Sequence, residues 1–477
     1  MASPDFDRYA PLISSKPAIC DLYAFVHDFL NDHSQVRFVR LQWQDHSGIL
    51  RTRMVATDLV LSLTRARRLI HTPPIAFHCI VDNSLVPDLD PTGNHWLVPD
   101  WSSLRILPSC PRYAVVMCGV LATTPAKPIP SYNLCPRAAL AHVVRRAAEM
   151  HHLIIQVGFE VEFEIMQRPP PAEESTTERY LVPASCGLGR YAVAGLRDPR
   201  FAYIEEVMER LLDSGVNIQA VQTEGRRGQY EFSLGPRPPL EAVDELLMVH
   251  DTLKMMLGQH GYVATMAPKP VESRRQATGQ HTHISISSTE NEEAFLAGII
   301  GRLRALCAVC LPYGLSYERV QPYLGGNVVA WGTENREVPI RKIKAGHWEV
   351  RCVDATTNMY LVLAAVIGSG LLGIEQREPL HWPDTAYNTD KNRTPNSKLV
   401  NGTHANGIKA TNTHTEPDRL PRCLDEALSD LERQCPEMER IMDSTVLQHY
   451  LSLKRVEASR LAALGPQSVR DLLSELF

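Results

Sequence analysis

Glu160, Glu162 and Glu164 stand at every second position of residues 158–166, with Phe159, Val161, Phe163 and Ile165 alternating between them. A β-strand turns successive side chains to opposite faces, so the stretch reads as a strand with one apolar and one acidic face. On its own, a half-buried strand with a solvated acidic face accounts for it equally well. The device recurs, however, with complementary chemistry. His281, His283 and Ser285 share one face of a second predicted strand, Gln229, Glu231 and Ser233 one face of a third, and His347, Glu349 and Arg351 one face of a fourth. If those faces meet, closely spaced carboxylates repel one another unless cations sit between them. Carboxylate and imidazole ligands without thiolates suit magnesium or manganese better than zinc. The pattern predicts a divalent-metal pocket.

The elements that must position these groups can be read along the chain. Residues 18–33 form an amphipathic helix pattern. Val39, Leu41 and Trp43 then alternate with Arg40, Gln42 and Gln44 before a turn at 45–48 and a second strand through Met54, which is a hairpin. Residues 113–121 read as a strand, and the proline-rich stretch 124–130 as a linker. A helix is entered at Pro136, a favoured first-turn residue. Arg168 opens a loop of about thirty residues, either a surface insertion or a lid. Ile204, Val207, Met208, Leu211 and Leu212 make a helical stripe ending at Gly215; Val243, Leu246, Leu247, His250, Leu253 and Leu257 make another ending at Gly261. Residues 385–417 are polar and expected to be mobile, and the C-terminal stretch is helical. Strands separated by long helices, with few glycine-rich βα turns, predict an α+β fold rather than a doubly wound sheet. The domains are placed at 18–123 and 131–477.

Composition narrows the class. The chain has 477 residues, 44% hydrophobic and 22% charged, with a formal net charge of -5. That balance lacks a nucleic-acid footprint. Eleven cysteines without framework spacing suit a reducing compartment. Cys307 and Cys310 form a C-x-x-C inside an apolar run and read as neighbours on a buried helix face. Residues 1–16 lack the regions of a signal peptide, and the near-apolar run 360–374 is glycine-broken and short for a bilayer. A cytoplasmic protein without membrane partners is expected, which makes the glycosylation-type matches at Asn392 and Asn401 chance. Neither a phosphate-binding G-x-x-x-x-G-K-[ST] nor a strand-following G-x-G-x-x-G is present, so any nucleotide is held by other means.

Several motifs occur in one order: Gly158-Phe159-Glu160-Val161-Glu162-Phe163, Glu224-Gly225-Arg226-Arg227-Gly228-Gln229-Tyr230-Glu231, Ala264-Thr265-Met266-Ala267-Pro268-Lys269-Pro270 and Gly279-Gln280-His281-Thr282-His283. Ser316-Tyr317-Glu318-Arg319, Asn335-Arg336 through Arg341, and Glu349-Val350-Arg351 follow. The set resembles the glutamine synthetase superfamily from about residue 35 onward, most of all its type I-related fungal and bacterial glutamine synthetase-like proteins. The resemblance implies an N-terminal β-grasp domain, a C-terminal catalytic barrel or sheet of antiparallel strands, and stacked rings of identical subunits. It also implies ATP as co-substrate and magnesium or manganese ions. The reaction it implies is phosphorylation of a glutamate-type carboxylate by ATP, then displacement of the phosphate by an amine.

By position in those motifs, Glu162, Glu224 and Glu231 correspond to ligands of a substrate-side metal, and Glu160, His281 and Glu349 to ligands of a metal bridging the ATP phosphates. His283 and Ser285 fall where the family contacts nucleotide, and Lys344 near it. Arg319 corresponds to the arginine that forks onto the α-carboxylate of the substrate, Arg336 and Arg341 to phosphate-facing arginines, and Arg351 to one at the carboxyl being activated. The departures are specific. Gly325 stands where ammonia-using members carry a flap glutamate, His347 where they carry an ATP-contacting arginine, and Gln276-Ala277 where they carry Asn-Gly. Asp82 is a weak match to the aspartate that completes the ammonium site across a subunit interface. Metal and phosphoryl machinery is kept while the ammonium site is not. The expectation is therefore an ATP-dependent ligase joining the γ-carboxyl of glutamate, or a similar acid, to an organic amine. Glutamine synthesis from ammonia, and a non-catalytic assembly or regulatory protein on the same scaffold, are the alternatives.

Overall fold

The computed structural model describes residues 3–86, 92–123, 129–169, 180–272, 274–322, 324–386 and 418–477. Most of the expected linker, part of the loop after Arg168 and nearly all of the polar stretch 385–417 lie outside them.

The N-terminal strands are β1 (Phe38–Gln44), β2 (Leu50–Ala56), β3 (Ile70–Thr72), β4 (Asn94–Pro99), β5 (Arg105–Ile106) and β6 (Tyr113–Thr123). They form one sheet in the order β2-β1-β6-β4-β3, with β5 also on β6. The pair β1–β6 is parallel and the others antiparallel. Val39, Leu41 and Trp43, at period two on β1, bury against Leu22 and Val26 of helix Leu22–Asp32 and Val60 of helix Thr57–Arg65. Asp21 starts the first of these helices by accepting a hydrogen bond from the Ala24 amide at 2.9 Å.

The second sheet contains β7 (Ile155–Gln167), β8 (Val182–Pro183), β9 (Ile218–Thr223), β10 (Gln229–Arg237), β11 (Val263–Thr265), β12 (Thr282–Ile286), β13 (Trp331–Thr333), β14 (Ile340–Lys344) and β15 (His347–Val350). Its order is β13-β14-β15-β12-β7-β10-β9, with β8 and β11 also on β7. Phe159, Val161, Phe163 and Ile165 on the apolar face of β7 belong to the main core, with side chains of helices Pro136–His151, Pro239–Gln259 and Met359–Gln376. The acidic face is left free to form a site. Two mixed or antiparallel sheets with helices packed against them make an α+β fold.

Some expectations shift. Leu212, counted in the apolar stripe of helix Phe201–Asp213, is 51% exposed; Ile204, Val207 and Leu211 are buried. The near-apolar run around 360–374 is part of an 18-residue helix, long and apolar enough to cross a membrane, yet here it is packed inside the core. Cys307 and Cys310 are buried on helix Leu303–Cys310, as neighbours on one face should be.

The β1–β2 turn docks on the second sheet's part of the chain. Gln44 donates to the Thr357 carbonyl at 2.9 Å, Asn358 to that of Asp45 at 2.9 Å, and Tyr313 to that of Ser47 at 2.7 Å. Gly48, at φ +86°, lies so close to Thr356 that a Cβ would meet its carbonyl oxygen at 2.3 Å.

Candidate active site

Strand pairing brings the acids together. Glu162 on β7 stands opposite Glu231 on β10, which stands opposite Gln222 on β9. Two residues along, Glu160 stands opposite Ser233, and its amide donates to the His281 carbonyl at 3.0 Å on the other side. Further across the sheet, His283 on β12 faces Glu349 on β15, and Glu349 faces Arg341 on β14. Residues up to two hundred positions apart in sequence thus meet on one face because β7 is long enough to pair with both halves of the sheet.

They border a cavity of about 1020 Å³, lined by Glu160, Glu162, Glu224, Glu231, His281, Arg319, Arg336 and Arg351 among others. Glu349 is fully buried behind this wall. Glu160 is the hub: His281 Nδ1 lies 2.8 Å from one of its oxygens and His283 Nε2 3.2 Å from the other. His281 Nδ1 is also 3.4 Å from Glu349. Glu160, His283 and Glu349 each offer a ligand atom within 4.8 Å of the others. The resemblance separates His281 as a metal ligand from His283 as a nucleotide contact; in this geometry both imidazoles reach the same carboxylate. Ser285 lies one pair further along β12, opposite His347, and Lys344 is exposed at the end of β14.

The charges divide into two poles. Burial, then the negative charges of Glu160, Glu162, Glu224 and Glu349, push the Glu231 carboxyl up to about 9. Burial and Glu162 raise Glu224 in the same sense. Burial also works to raise Glu160, but hydrogen bonds from His281 and His283 outweigh it and hold the group far below the ordinary carboxylate range. At Glu349, burial is outweighed by His281 and Arg351. Directly opposed carboxylates on neighbouring strands repel, and among the described residues Glu162, Glu224 and Glu231 have no hydrogen-bonded guanidinium such as those that hold Glu349. The donor set is carboxylate oxygen with the imidazoles of His281 and His283 at Glu160, which fits a divalent cation such as magnesium or manganese.

The arginines are deployed differently from one another. Arg319 is buried, donates to the Val353 carbonyl at 2.7 Å and still lines the cavity. Arg336 is exposed on the cavity wall. Arg351 pairs with Glu349 and also reaches the cavity. Arg341 is committed to Glu349 at 3.0 Å and to Glu334. Burial, then His283 and Lys344, press His347 down to about 4, so it stands neutral beside His283 at 3.0 Å.

The flap differs from expectation. Gly325 does not open the cavity: its amide donates to the Arg319 carbonyl at 3.1 Å, and a Cβ there would sit 3.3 Å from that oxygen. Among the described flap residues Leu324 lies on the wall, while Glu334 and Glu337 supply acids at the rim. Gln276 and Ala277 line the cavity as well. Asp82 pairs with Arg460 of its own chain at 3.5 Å. Arg190, Tyr191 and Gln222 also border the cavity and were not anticipated. Gln222 precedes Glu224 by two, the spacing of one strand face, but its strand does not alternate cleanly; Arg190 and Tyr191 carry no such signal.

Comparison with known proteins decides the family. The family model described as the glutamine synthetase catalytic domain matches residues 133–467. The chain belongs to the glutamine synthetase superfamily. It is 29% identical over 453 residues to protein fluG of Emericella nidulans, an alignment covering 94% of this chain and 50% of that protein. The chain therefore spans about half the length of that relative. It is also 29% identical over 382 residues to the glutamate–isopropylamine ligase of a Pseudomonas species, covering 74% of this chain and 81% of the relative. Among solved structures, one titled as a GmaS/ADP complex superposes with a TM-score of 0.74 at 23% identity, covering 95% of this chain and 99% of the other. The fold is that of glutamine synthetase-like proteins.

Proposed function

We propose that this glutamine synthetase-like ligase joins the γ-carboxyl of glutamate, or a similar acid, to an organic amine at the expense of ATP. The observation that carries the reading is the row of carboxylates Glu162, Glu224 and Glu231 beside a cavity of about 1020 Å³ whose described lining includes the apolar flap residue Leu324. A carboxylate is a poor acyl donor. Its oxygen attacks the γ-phosphorus of ATP and ADP leaves; the amine nitrogen then attacks the acyl carbon, phosphate departs and the amine gives up a proton. Glu162, Glu224 and Glu231 would hold one cation, and Glu160 and Glu349 with His281 or His283 another. Bound divalent cations would neutralise the transferring phosphoryl group. Arg319 and Arg336 offer forks for substrate carboxylate and phosphate oxygens. Leu324 keeps water from the amine's apolar part, and burial of that part is worth about 25 cal/mol per Å².

The name of the isopropylamine ligase supports an organic acceptor. Glu337 on the cavity wall favours ammonia as a second reading, because it is an anion there, whereas Glu334 is already paired with Arg341. Phosphate release with glutamate and a panel of amines including ammonium, with mass detection of the product, separates the two. Ammonium as the best acceptor across the panel would establish glutamine synthesis; no turnover with any acid–amine pair would favour the non-catalytic reading. The family's subunit arrangement also leads us to expect a ring of identical chains, which light scattering on the active protein tests.

A further inference from the structure

Gln222 touches two of the three substrate-side carboxylates at once. Its amide nitrogen lies 2.9 Å from Glu224 Oε1, 3.1 Å from Glu231 Oε1 and 3.2 Å from the Tyr191 hydroxyl. An amide nitrogen only donates, so it is the donor in all three contacts. We infer that Gln222 is the positioning residue of the substrate-side cation site: one amide clamps Glu224 and Glu231 and ties the segment carrying Tyr191 to them. The inference rests on the reading above, in which Glu162, Glu224 and Glu231 hold one cation.

Three features support a clamp rather than a chance contact. First, the strand pairing that sets Glu231 opposite Glu162 also sets Gln222 opposite Glu231, so the amide closes the end of an acidic row. Second, the hydrogen bonds from Gln222 and Ser233 reach the Oε1 atoms of these carboxylates, so among the described residues the Oε2 atoms are the ones a cation would take. Third, the clamp is neutral. Glu349 is held by two guanidiniums, Arg341 and Arg351; a guanidinium in place of Gln222 would compete with the ion for the same carboxylates. An amide reduces the repulsion between Glu224 and Glu231 while leaving their charge to be met.

The third acceptor links the site to its wall. Two amide hydrogens serve three acceptors by sharing, and Tyr191, at the longest distance, takes the weakest share. Tyr191 follows Arg190, and both have left-handed backbones, φ 61° and 47°, which is uncommon for two successive non-glycine residues. They are held there by the Arg190 amide on the Glu224 carbonyl at 2.6 Å and the Tyr191 amide on that of Thr223 at 3.0 Å. Gly189 packs so closely that a Cβ would fall 1.9 Å from the Glu224 carbonyl oxygen. The segment thus grips the residue that Gln222 also grips.

The test is Mn²⁺ binding to the substrate-free protein, read by the electron paramagnetic resonance of the free ion. Glu231→Gln identifies the substrate-side ion by abolishing one binding step. Gln222→Leu should weaken that same step by about 10- to 100-fold and leave the other unchanged, the usual range for a residue that orients a ligand. Gln222→Thr, a strand-favouring residue too short to reach either carboxylate, should match it. Added to Glu231→Gln, the Gln222 substitution should have no further effect on the remaining step. If Glu231→Gln loses a step but both Gln222 variants bind as the unmodified protein does, or weaken both steps alike, the clamp is wrong while the cation site stands. If Glu231→Gln loses no step, the cation assignment beneath it fails, and the clamp with it.

Discussion

Glu231 is the side chain whose surroundings conflict most with its own charge. Glu160 and Glu349 are ionised because imidazole and guanidinium groups surround them, whereas burial and four neighbouring carboxylates push Glu231 up to about 9. In the cation-free protein at neutral pH it therefore keeps its proton, and a cation must displace that proton to bind. Mn²⁺ affinity should rise from pH 6 towards 9, by up to about tenfold per pH unit, and calorimetry in buffers of different ionisation enthalpy should detect the released proton. Glu231→Gln should abolish the release; affinity independent of pH in the unmodified protein would contradict the assignment. Glu162→Ala tests the same site from the opposite strand. It removes the repulsion with Glu231 and one hydrogen bond from the Gly279 amide at 2.8 Å, worth about 1 kcal/mol net. The cation-free variant should melt within a few degrees of the parent, gain less from added Mn²⁺ and lose turnover.

Alternation made the working faces of β7, β10, β12 and β15 readable, because a strand's side-chain period is fixed by its backbone. Which strands are neighbours was not readable from period two alone; it follows from tertiary pairing, and the motifs resembling a known family grouped the ligands without giving the strand order. Gln222 escaped because Ile218–Thr223 shows no clean alternation: Gln219 and Ala220 are both exposed. Arg190 and Tyr191 escaped because their positive φ angles are imposed by bonds to the end of β9 rather than by a local glycine or asparagine signal. The flap shows the limit of matching positions. Gly325 aligns with a glutamate, yet in space it packs beneath the Arg319 carbonyl and Leu324 takes the wall. Leu324→Glu, not Gly325→Glu, should therefore shift the acceptor preference towards ammonium, by about tenfold in the ratio of kcat/KM values, which requires about 1.4 kcal/mol. Gly325→Glu should lower turnover with every amine, since its Cβ would press on the residue that carries the Arg319 guanidinium. Equal acceptor ratios for Leu324→Glu and the parent would remove the flap from the account of specificity.

The two sheets are joined at a junction that is rich in buried histidine. His46 in the β1–β2 turn, His78 at the end of helix Ile75–His78 and His95 on β4 meet His449 of helix Val446–Ala462, and all four are buried. Ring centroids are 4.6 Å apart for His46–His449, 5.5 Å for His78–His449 and 5.7 Å for His78–His95. Burial, then the neighbouring histidines, lowers His95 and His449 to about 4 and holds His46 well below its ordinary value. Lys454 also faces His46, and Arg51, Asp45 and Glu457 surround the same turn. Kept neutral when folded and free to protonate when unfolded, the rings of His46, His95 and His449 stabilise the protein fully above about pH 6.5, the ordinary histidine value. That contribution is lost as pH falls towards 4, at up to about 1.4 kcal/mol per pH unit for each ring. Because the rings come from both sides of the junction, acid should loosen the N-terminal sheet from the C-terminal helices. Urea unfolding at pH 8, 6.5 and 5 measures this, with saturating Mn²⁺ so that Glu231, whose raised value acts in the opposite sense, stays ionised. His449→Gln keeps a neutral polar side chain of similar reach and removes one titrating ring. It should match the parent within about 1 kcal/mol at pH 8 and lose stability less steeply below 6.5, by about 1 kcal/mol per pH unit. Parallel stability–pH curves for parent and variant would show that the acid sensitivity lies outside this junction.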